Sequence, residues 1–264
     1  EKGRILTILG YSQWTLGQIE RAIAIHQEAL KIANQAGDRP CEIANLNHLS
    51  RIAISQKDYS QAISYSQRAL ILARQTGDKL GEANALTNVG YSEVLAAHSI
   101  DRLDEEIYAQ NISYLDRGLK LAETLADTQS LALCYHSLGL AHLTIQQPEK
   151  AIAYLQQGTK AAQAVGDLYL QGLNLTYLAE AHHSIDKNET AVFYSCLAMY
   201  QLHQIGAKEW RQSASLATVL QGQMGQERFT ELLVKYRPNL LPAIGVDGYD
   251  YLPKLIANYL DGRE

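Results

Sequence analysis

The chain has 264 residues, of which 47% are hydrophobic, and both values are typical of a globular protein with a buried core. Its formal net charge is −5, and it contains no cluster of five or more lysine and arginine residues, which argues against nucleic acid as a partner. The longest stretch without charged residues, 128–148, is rich in histidine, threonine and glutamine, so membrane insertion is not expected.

Apolar residues recur at three- to four-residue intervals along most of the chain, whereas runs with strand-like alternation are missing. This pattern predicts an all-α fold. The helices are expected in pairs. The first helix of a pair carries a segment such as EANALTNVG at residues 82–90, and the second carries one such as YSQAISYSQRALILARQTGD at residues 59–78.

Landmark residues recur at intervals of 40 residues, with a single interval of 49. One such series consists of a small residue at the end of each second helix: Gly37, Gly77, Ala126, Gly166 and Gly206. A second series of paired residues places the nine additional residues between Gly90 and Ile112, near residues 97–105. The period predicts repeats near residues 3–37, 41–77, 81–126, 130–166 and 170–206, and a divergent sixth repeat near 208–236.

The residues at the joints between repeats indicate how one helix ends and the next begins. Glycine is expected in a left-handed conformation after the second helix, and the aspartate that follows it is expected to cap the next helix. Helix pairs stacked in this way form a solenoid whose apolar core continues from repeat to repeat.

Two segments depart from the repeat. The insertion near 97–105 is expected to lengthen the second helix of the third repeat by about two turns, with Asp101 as its N-cap. It is either a solvated spacer or a docking element. In the tail, 237–264, several proline and glycine residues interrupt the pattern, and Asp250 is expected to cap a short helix. This helix is predicted to cover the open end of the stack, with a docking strip as the alternative.

The first two repeats share a recognisable set of residues. In the first repeat the set comprises Leu9, Gly10, Gly17, Ala22, Ile23, Ala29 and Leu30, and in the second it comprises Leu49, Tyr59, Ala62, Ile63, Ala69 and Leu70. With these residues the chain resembles the tetratricopeptide repeat family in its 40-residue variant, as in kinesin light chains, Leu-Gly-Asn-type adaptors and bacterial signalling proteins. The resemblance implies a right-handed α-α superhelix of five to six repeats that binds a protein or peptide partner.

The resemblance also implies that the first helix of each repeat lines a concave groove. The candidate binding residues on these helices are Arg4, Tyr11, Trp14, Asn47, Arg51, Asn84, Asn88, Tyr91, His136, Leu140, Leu143, Glu180 and His183. Tyrosine, tryptophan, asparagine and arginine at the N-terminal end, followed by leucines, would suit a peptide with a polar or acidic end and an apolar end. The lysine and asparagine pairs by which some members of the family bind a C-terminal carboxylate are not present.

The sequence shows no arrangement of nucleophilic, acidic or metal-binding residues that is typical of a catalytic or metal site. Motifs of the HExxH, GxSxG, P-loop and dinucleotide-binding types do not occur, so no enzymatic activity and no cofactor are expected. His182 and His183 are adjacent and diverge on a helix, which argues against a shared metal ion. Cys41, Cys134 and Cys196 are widely spaced, as is typical of buried thiols in the cytoplasm, where we expect the protein.

Three functions remain open at this point. The first is a non-enzymatic interaction module that belongs to a larger bacterial signalling or assembly protein, an origin also suggested by a sequence that opens without methionine inside an apolar-periodic segment. The second is a regulator whose solenoid changes shape when a small signalling peptide binds. The third is a structural assembly scaffold. Homo-oligomerisation is compatible with each of them.

Overall fold

The computed structural model describes residues 1–99 and 105–262. Every regular element in these ranges is an α-helix, which confirms the all-α fold class. The chain divides into two compact units, Glu1–Ile145 and Gln146–Glu264. The search of the described ranges for a helix with the length and apolar character of a membrane span found none.

The described residues of the first unit form seven helices. They are α1 Lys2–Thr15, α2 Ile19–Ala36, α3 Arg39–Ser55, α4 Tyr59–Thr76, α5 Lys79–Ser99, α6 Glu105–Leu125 and α7 Thr128–Thr144. Each helix packs against the next, and α1, α3, α5 and α7 also pack against one another in that order. The first helices of the successive repeats therefore form one layer of this unit.

The joints between repeats have the geometry that the sequence predicts. Gly37 ends α2 with a φ of 67°, in the left-handed region that favours glycine, and the Asp38 side chain accepts a 3.3 Å hydrogen bond from the Cys41 backbone N–H at the start of α3. Gly77, with a φ of 72°, and Asp78 form the same kind of joint between α4 and α5.

Small residues lie where paired helices approach most closely. A Cβ at Gly10 of α1 would lie 2.7 Å from the imidazole of His26 in α2. In the second repeat, the equivalent Ser50 donates a 2.9 Å hydrogen bond to the backbone carbonyl of Ala62. These contacts explain why small residues recur with the repeat period.

The helices of the third repeat differ from the expectation. Both α5 and α6 contain 21 residues, compared with 17 in α3 and 18 in α4. The second helix is longer, as predicted, and α5 is longer as well, which the sequence analysis did not anticipate. Ala97, in the lengthened end of α5, is 7% exposed, so this end contributes to packing. The predicted cap Asp101 lies outside the described residues.

In the second unit, the part of the chain that the structure describes forms five helices. They are α8 Pro148–Val165, α9 Leu168–Ser184, α10 Asn188–Gln204, α11 Trp210–Met224 and α12 Gln226–Leu260. Its main apolar core joins α10, α11 and α12 and includes Met199, Trp210, Leu220, Phe229 and Leu252.

The C-terminal segment is more helical than the sequence suggests. α12 continues through Pro238 and Pro242 and is interrupted at Gly245, which has a φ of 70° and a ψ of 176°. The predicted start of a short helix at Asp250 is therefore wrong, because the bend occurs five residues earlier. The apolar side chains of Leu255 and Ile256 nevertheless lie in the core of the second unit, and a capping role for this segment stays a prediction.

Candidate binding face

Three candidate residues occupy the same position in three successive repeats. Tyr11, Arg51 and Tyr91 are separated by 40 residues each, on α1, α3 and α5, and all three are partly exposed. Trp14 and Asn84 are also partly exposed on these helices. We call the side of α1, α3 and α5 that carries these five residues the candidate face.

A hydrogen bond between neighbouring repeats fixes a cation on this face. The Arg51 Nη2 atom donates to Asn84 Oδ1 at 3.0 Å, and the Asn84 amide donates to the Leu80 backbone carbonyl at 3.1 Å. Arg51 is thus held between α3 and α5 by a side chain that is itself anchored. At the N-terminal edge, exposed Arg4 is paired with the capping residue Asp38, with 3.1 Å between Arg4 Nε and Asp38 Oδ2.

Two candidate asparagines are buried between the helices. Asn47 is 3% exposed and Asn88 is 2% exposed. Asn88 Nδ2 donates to Asn47 Oδ1 at 3.2 Å, and Asn47 Nδ2 donates to the Gly81 backbone carbonyl at 3.3 Å. Their amides align α3 with α5, because each of these bonds joins the two helices. Direct contact of Asn47 and Asn88 with a ligand does not fit this burial.

Aromatic side chains flank Arg51 along the candidate face. Tyr11 lies edge-on to Trp14, with 5.9 Å between ring centroids, and 5.5 Å from the ring of His48. Tyr91 meets His136 of α7 edge-on at 6.1 Å. The face thus combines one fixed cation with partly exposed tyrosine and tryptophan rings.

The remaining candidates of the first unit lie on α7 and differ in exposure. His136 and Leu140 are buried, at 5% and 6% exposure, whereas Leu143 is partly exposed. Leu140 lies 49 residues after Tyr91, which is one 40-residue period plus the nine additional residues, so both occupy the same repeat position. Burial makes His136 and Leu140 packing residues of the first-helix layer, so direct ligand contact at these two positions does not fit.

Sequence reasoning missed His48, which packs on Tyr11. His48 precedes Asn88 by 40 residues, so the repeat period that selects Asn88 could also have selected His48. Its ring stacks on that of His26, with 4.9 Å between centroids, and His26 Nδ1 lies 2.8 Å from Asn45 Oδ1. An amide oxygen only accepts, so this contact assigns the proton to Nδ1 of His26.

Burial lowers the pKa of His26, and it lowers the pKa of His48 well below its usual value. The positive charge of Arg51 acts in the same direction on both imidazoles. The neutral form of both rings is therefore favoured at neutral pH, and Arg51 supplies the positive charge at the centre of the candidate face.

The last two candidates, Glu180 and His183, lie on α9 of the second unit. Burial raises the pKa of Glu180, although its carboxylate accepts a 2.8 Å hydrogen bond from Gln212 Nε2 of α11, which favours the charged form. His183 Nδ1 lies 2.7 Å from Asn188 Oδ1 of α10. Gln212 was missed because the sixth repeat diverges too far for its register to be read.

An open hollow of about 660 Å³ lies on another side of the first unit, between α2, α3 and α4. Its lining includes Glu42, which is 2% exposed. The Glu42 carboxylate accepts one hydrogen bond from Arg39 and another, of 2.8 Å, from Arg68. Burial alone would raise the pKa of Glu42, but these two arginines lower it. These ion pairs stabilise the packing of α3 against α4 in the second repeat. We therefore interpret the hollow as a gap between packed helices and not as a ligand site.

Within the described residues, no group of three histidine, cysteine, aspartate or glutamate side chains is placed to hold a metal ion. Cys41, Cys134 and Cys196 are free thiols and are buried. Burial raises the pKa of Cys134 to about 11, which disfavours a reactive thiolate at that position.

Two family models of the tetratricopeptide repeat match the sequence, one over residues 2–75 and the other over residues 132–165. The chain contains tetratricopeptide repeats in these ranges. The longer match spans α1 to α4 and includes Tyr11, Trp14 and Arg51, so part of the candidate face lies on helices of this family. A search of curated proteins found no match.

Solved structures of the same fold come from several sources. A signal transduction ATPase with numerous domains (STAND) protein with a tetratricopeptide repeat sensor, from Pyrococcus horikoshii, aligns with a TM-score of 0.59 and 16% identity. This match covers 98% of the present chain but only 39% of the STAND protein, so the chain spans well under half of that relative.

Two further structures show the same likeness. The apo form of RapI aligns with a TM-score of 0.59 and 12% identity, over 99% of this chain and 94% of RapI. Aspartyl phosphate phosphatase F from Bacillus subtilis aligns with a TM-score of 0.51 and 16% identity, over 84% of this chain and 59% of the phosphatase. Identities this low support the common fold alone.

Proposed function

We propose that this tetratricopeptide repeat protein is a non-enzymatic interaction module, and that its candidate face binds a peptide segment of a partner protein. The observation that carries the proposal is the hydrogen bond from Arg51 to Asn84, which holds a partly exposed guanidinium between two neighbouring first helices. A guanidinium held in place loses little further side-chain entropy when it binds a carboxylate.

The proposed ligand is an extended or helical segment with an acidic residue next to an apolar or aromatic one. Its carboxylate pairs with Arg51, and its apolar side chain packs on Tyr11 and Trp14 or on Tyr91. Tyrosine and tryptophan offer a large contact area and are frequent anchors at protein interfaces. Asn47 and Asn88 contribute indirectly, because they keep α3 and α5 in register.

A peptide selected against the whole protein from a random display library provides the probe for this proposal. Replacing Arg51 by alanine removes a charge-assisted hydrogen bond, so we expect the dissociation constant in calorimetric titration to rise roughly 10- to 100-fold. The matched control is Arg117→Ala, which removes an equally charged but exposed side chain from α6 and leaves the affinity unchanged. Equal affinity for wild type, Arg51→Ala and Tyr91→Ala would rule out the candidate face.

A second candidate function is a sensor of such a peptide within a longer signalling protein. The STAND protein that aligns with nearly all of this chain is described as carrying a tetratricopeptide repeat sensor, and this likeness favours the candidate. A sensor must change the shape of its solenoid when it binds the peptide, whereas a passive module need not.

A further inference from the structure

Several glutamates that are wholly or partly withdrawn from solvent have cationic partners within the chain. The ion pairs join Glu42 to Arg39 and Arg68, Glu82 to Lys79 and Arg74, and Glu189 to Lys235 and Arg228. Burial acts to raise the pKa of Glu42 and Glu82, but their partners lower it overall, and the partners of Glu189 lower its pKa as well. Each carboxylate is therefore compensated by two cations.

Glu180 of α9 is held differently. It is partly buried, and burial raises its pKa, opposite to the change at the three paired glutamates. Its Oε1 atom accepts a 2.8 Å hydrogen bond from Gln212 Nε2 of α11, and the two helices are also joined by the hydroxyls of Thr176 and Ser213 at 2.8 Å. Among the residues that the structure describes, no lysine or arginine forms an ion pair with Glu180, and no donor contacts its Oε2 atom. The desolvation of this carboxylate is thus only partly compensated.

The repeat period relates Glu180 to the centre of the candidate face. Glu180 lies 129 residues after Arg51, which is three 40-residue periods plus the nine additional residues, so both occupy the same repeat position. Both are also anchored by an amide side chain from the next first helix, Arg51 by Asn84 and Glu180 by Gln212. One repeat position therefore carries an anchored cation in the first unit and an anchored anion in the second.

Apolar side chains accompany Glu180 and Gln212 along their helices. Leu173 lies two turns before Glu180 on α9, and Leu216 lies one turn after Gln212 on α11. These spacings place each leucine on the same side of its helix as the polar residue, and both leucines are partly exposed. A carboxylate next to aliphatic surface suits lysine and arginine, whose long apolar stems pack on such surface while the charged end reaches an anion.

We propose that Glu180 and Gln212 form a cation site that binds a basic side chain, lysine or arginine, of a peptide segment from a partner protein. The cation donates to Glu180 Oε2, and its aliphatic stem packs on Leu173 and Leu216. The ligand thereby supplies the counter-ion that Glu180 does not find among the described residues, and a charge-assisted hydrogen bond of this kind is stronger than a neutral one. The net charge of −5 also favours the approach of a basic ligand.

This cation site does not rest on the proposed function of the candidate face. It belongs to the second unit, shares no residue with that face and selects the opposite charge. A ligand with an acidic residue in place of the basic one is disfavoured, because two carboxylates repel each other.

A display library of short peptides provides the probe. Each peptide carries one lysine beside an apolar residue and has no acidic residue. The bait is the whole protein with Arg51→Ala, which removes the cation of the candidate face. Calorimetric titration then compares a selected peptide with its counterpart that has norleucine in place of lysine. Norleucine keeps an aliphatic side chain without the charge, so we expect the lysine peptide to bind about tenfold more tightly.

Glu180→Gln in the same protein separates binding of the cation from a structural role. We expect it to weaken the lysine peptide about tenfold and to leave the affinity for the norleucine peptide unchanged. The matched control is Glu93→Gln, which changes the net charge equally. Glu93 is a partly buried glutamate of α5 whose pKa is also raised by burial, but it occupies a different repeat position. This control is expected to leave both affinities unchanged.

Several results would overturn the cation site. They are equal affinities of the lysine and norleucine peptides for the protein, an equal loss of both peptides in Glu180→Gln, or an equal loss of the lysine peptide in Glu93→Gln and Glu180→Gln. Failure of the library to yield a lysine-dependent peptide would also overturn it. Because the bait already carries Arg51→Ala, none of these results affects the proposal for the candidate face.

Discussion

The paired imidazoles of His26 and His48 make the first two repeats sensitive to pH. Both rings lie between α1, α2 and α3, and a second positive charge is unfavourable there because Arg51 is close enough to lower the pKa of each ring. The hydrogen bond from His26 Nδ1 to Asn45 raises the pKa of His26, but burial is the larger effect, so the pKa of this ring is lowered overall.

This arrangement predicts a loss of stability in mild acid. The folded pKa of both histidines lies below the usual value of 6.5, so the unfolded chain binds more protons as the pH falls below that value. The contribution to stability is therefore complete above pH 6.5 and decreases as the pH falls towards the folded pKa. Thermal melting followed by circular dichroism is expected to show a lower Tm at pH 5 than at pH 7.5.

His48→Gln is expected to reduce this dependence on pH, because it removes one of the two titrating groups. The difference in Tm between the variant and wild type at pH 7.5 reports the change in packing alone. Parallel Tm curves for the two proteins from pH 7.5 to pH 5 would contradict the assignment of the effect to His48.

Sequence patterns identified some individual residues well and others poorly. The capping role of Asp38 follows from local chemistry, and the structure confirms it. The burial of Asn47 and Asn88 could not be read in this way, because helical spacing does not reveal which polar residues on a first helix face the next repeat. Their 3.2 Å hydrogen bond depends on the alignment of α3 with α5, which involves residues 41 positions apart.

At the scale of helices, glycine at the crossing of α5 and α6 allows their close approach. A Cβ at Gly90 would lie 2.7 Å from the backbone oxygen of Asn111 and 2.9 Å from Leu115 Cγ. The first of these atoms belongs to the backbone of α6, so it can move only if the whole helix shifts. The series of small residues found in the sequence is therefore a packing requirement.

Gly90→Ala is expected to destabilise the protein by about 1–3 kcal/mol, because the added methyl group overpacks the crossing of α5 and α6. Gly222→Ala in α11 is the matched control, since a Cβ there would meet nothing within 4 Å. The free energy of unfolding of the control should rise by roughly 0.5–1 kcal/mol, because alanine has a higher helix propensity than glycine. Urea denaturation measures both changes, and equal effects of the two substitutions would contradict this account of the crossing.

Element boundaries were predictable wherever the repeat held and less so where it did not. The 40-residue period locates α3 and α4 closely, because Asp38 and Asp58 cap their N-termini. In α12, the prolines at 238 and 242 predicted that the helix would end before Gly245, where the structure places the interruption. The helix continues because Leu240 and Ile244 pack in the core of the second unit, and tertiary packing outweighs the lost backbone hydrogen bonds.

At the scale of the whole molecule, the proposed ligand site is confined to the first compact unit. Arg51, Tyr11 and Tyr91 share one repeat position, so a bound segment would cross three first helices within Glu1–Ile145. The protein is acidic as a whole, with a net charge of −5, and yet the centre of the candidate face is held cationic by Arg51. A local charge of this kind selects among peptides even though long-range attraction of acidic ligands is weak.

Hydrogen–deuterium exchange of the whole protein, with and without the selected peptide, tests the central claim most directly. We expect slower exchange in residues 39–55 and 79–99, which form α3 and α5, and unchanged exchange in residues 59–76, which form α4. Additional changes in residues 146–262 would favour the sensor over the passive module. Protection confined to α2, α4 and α6, or no protection in the presence of a bound peptide, would contradict binding at the candidate face.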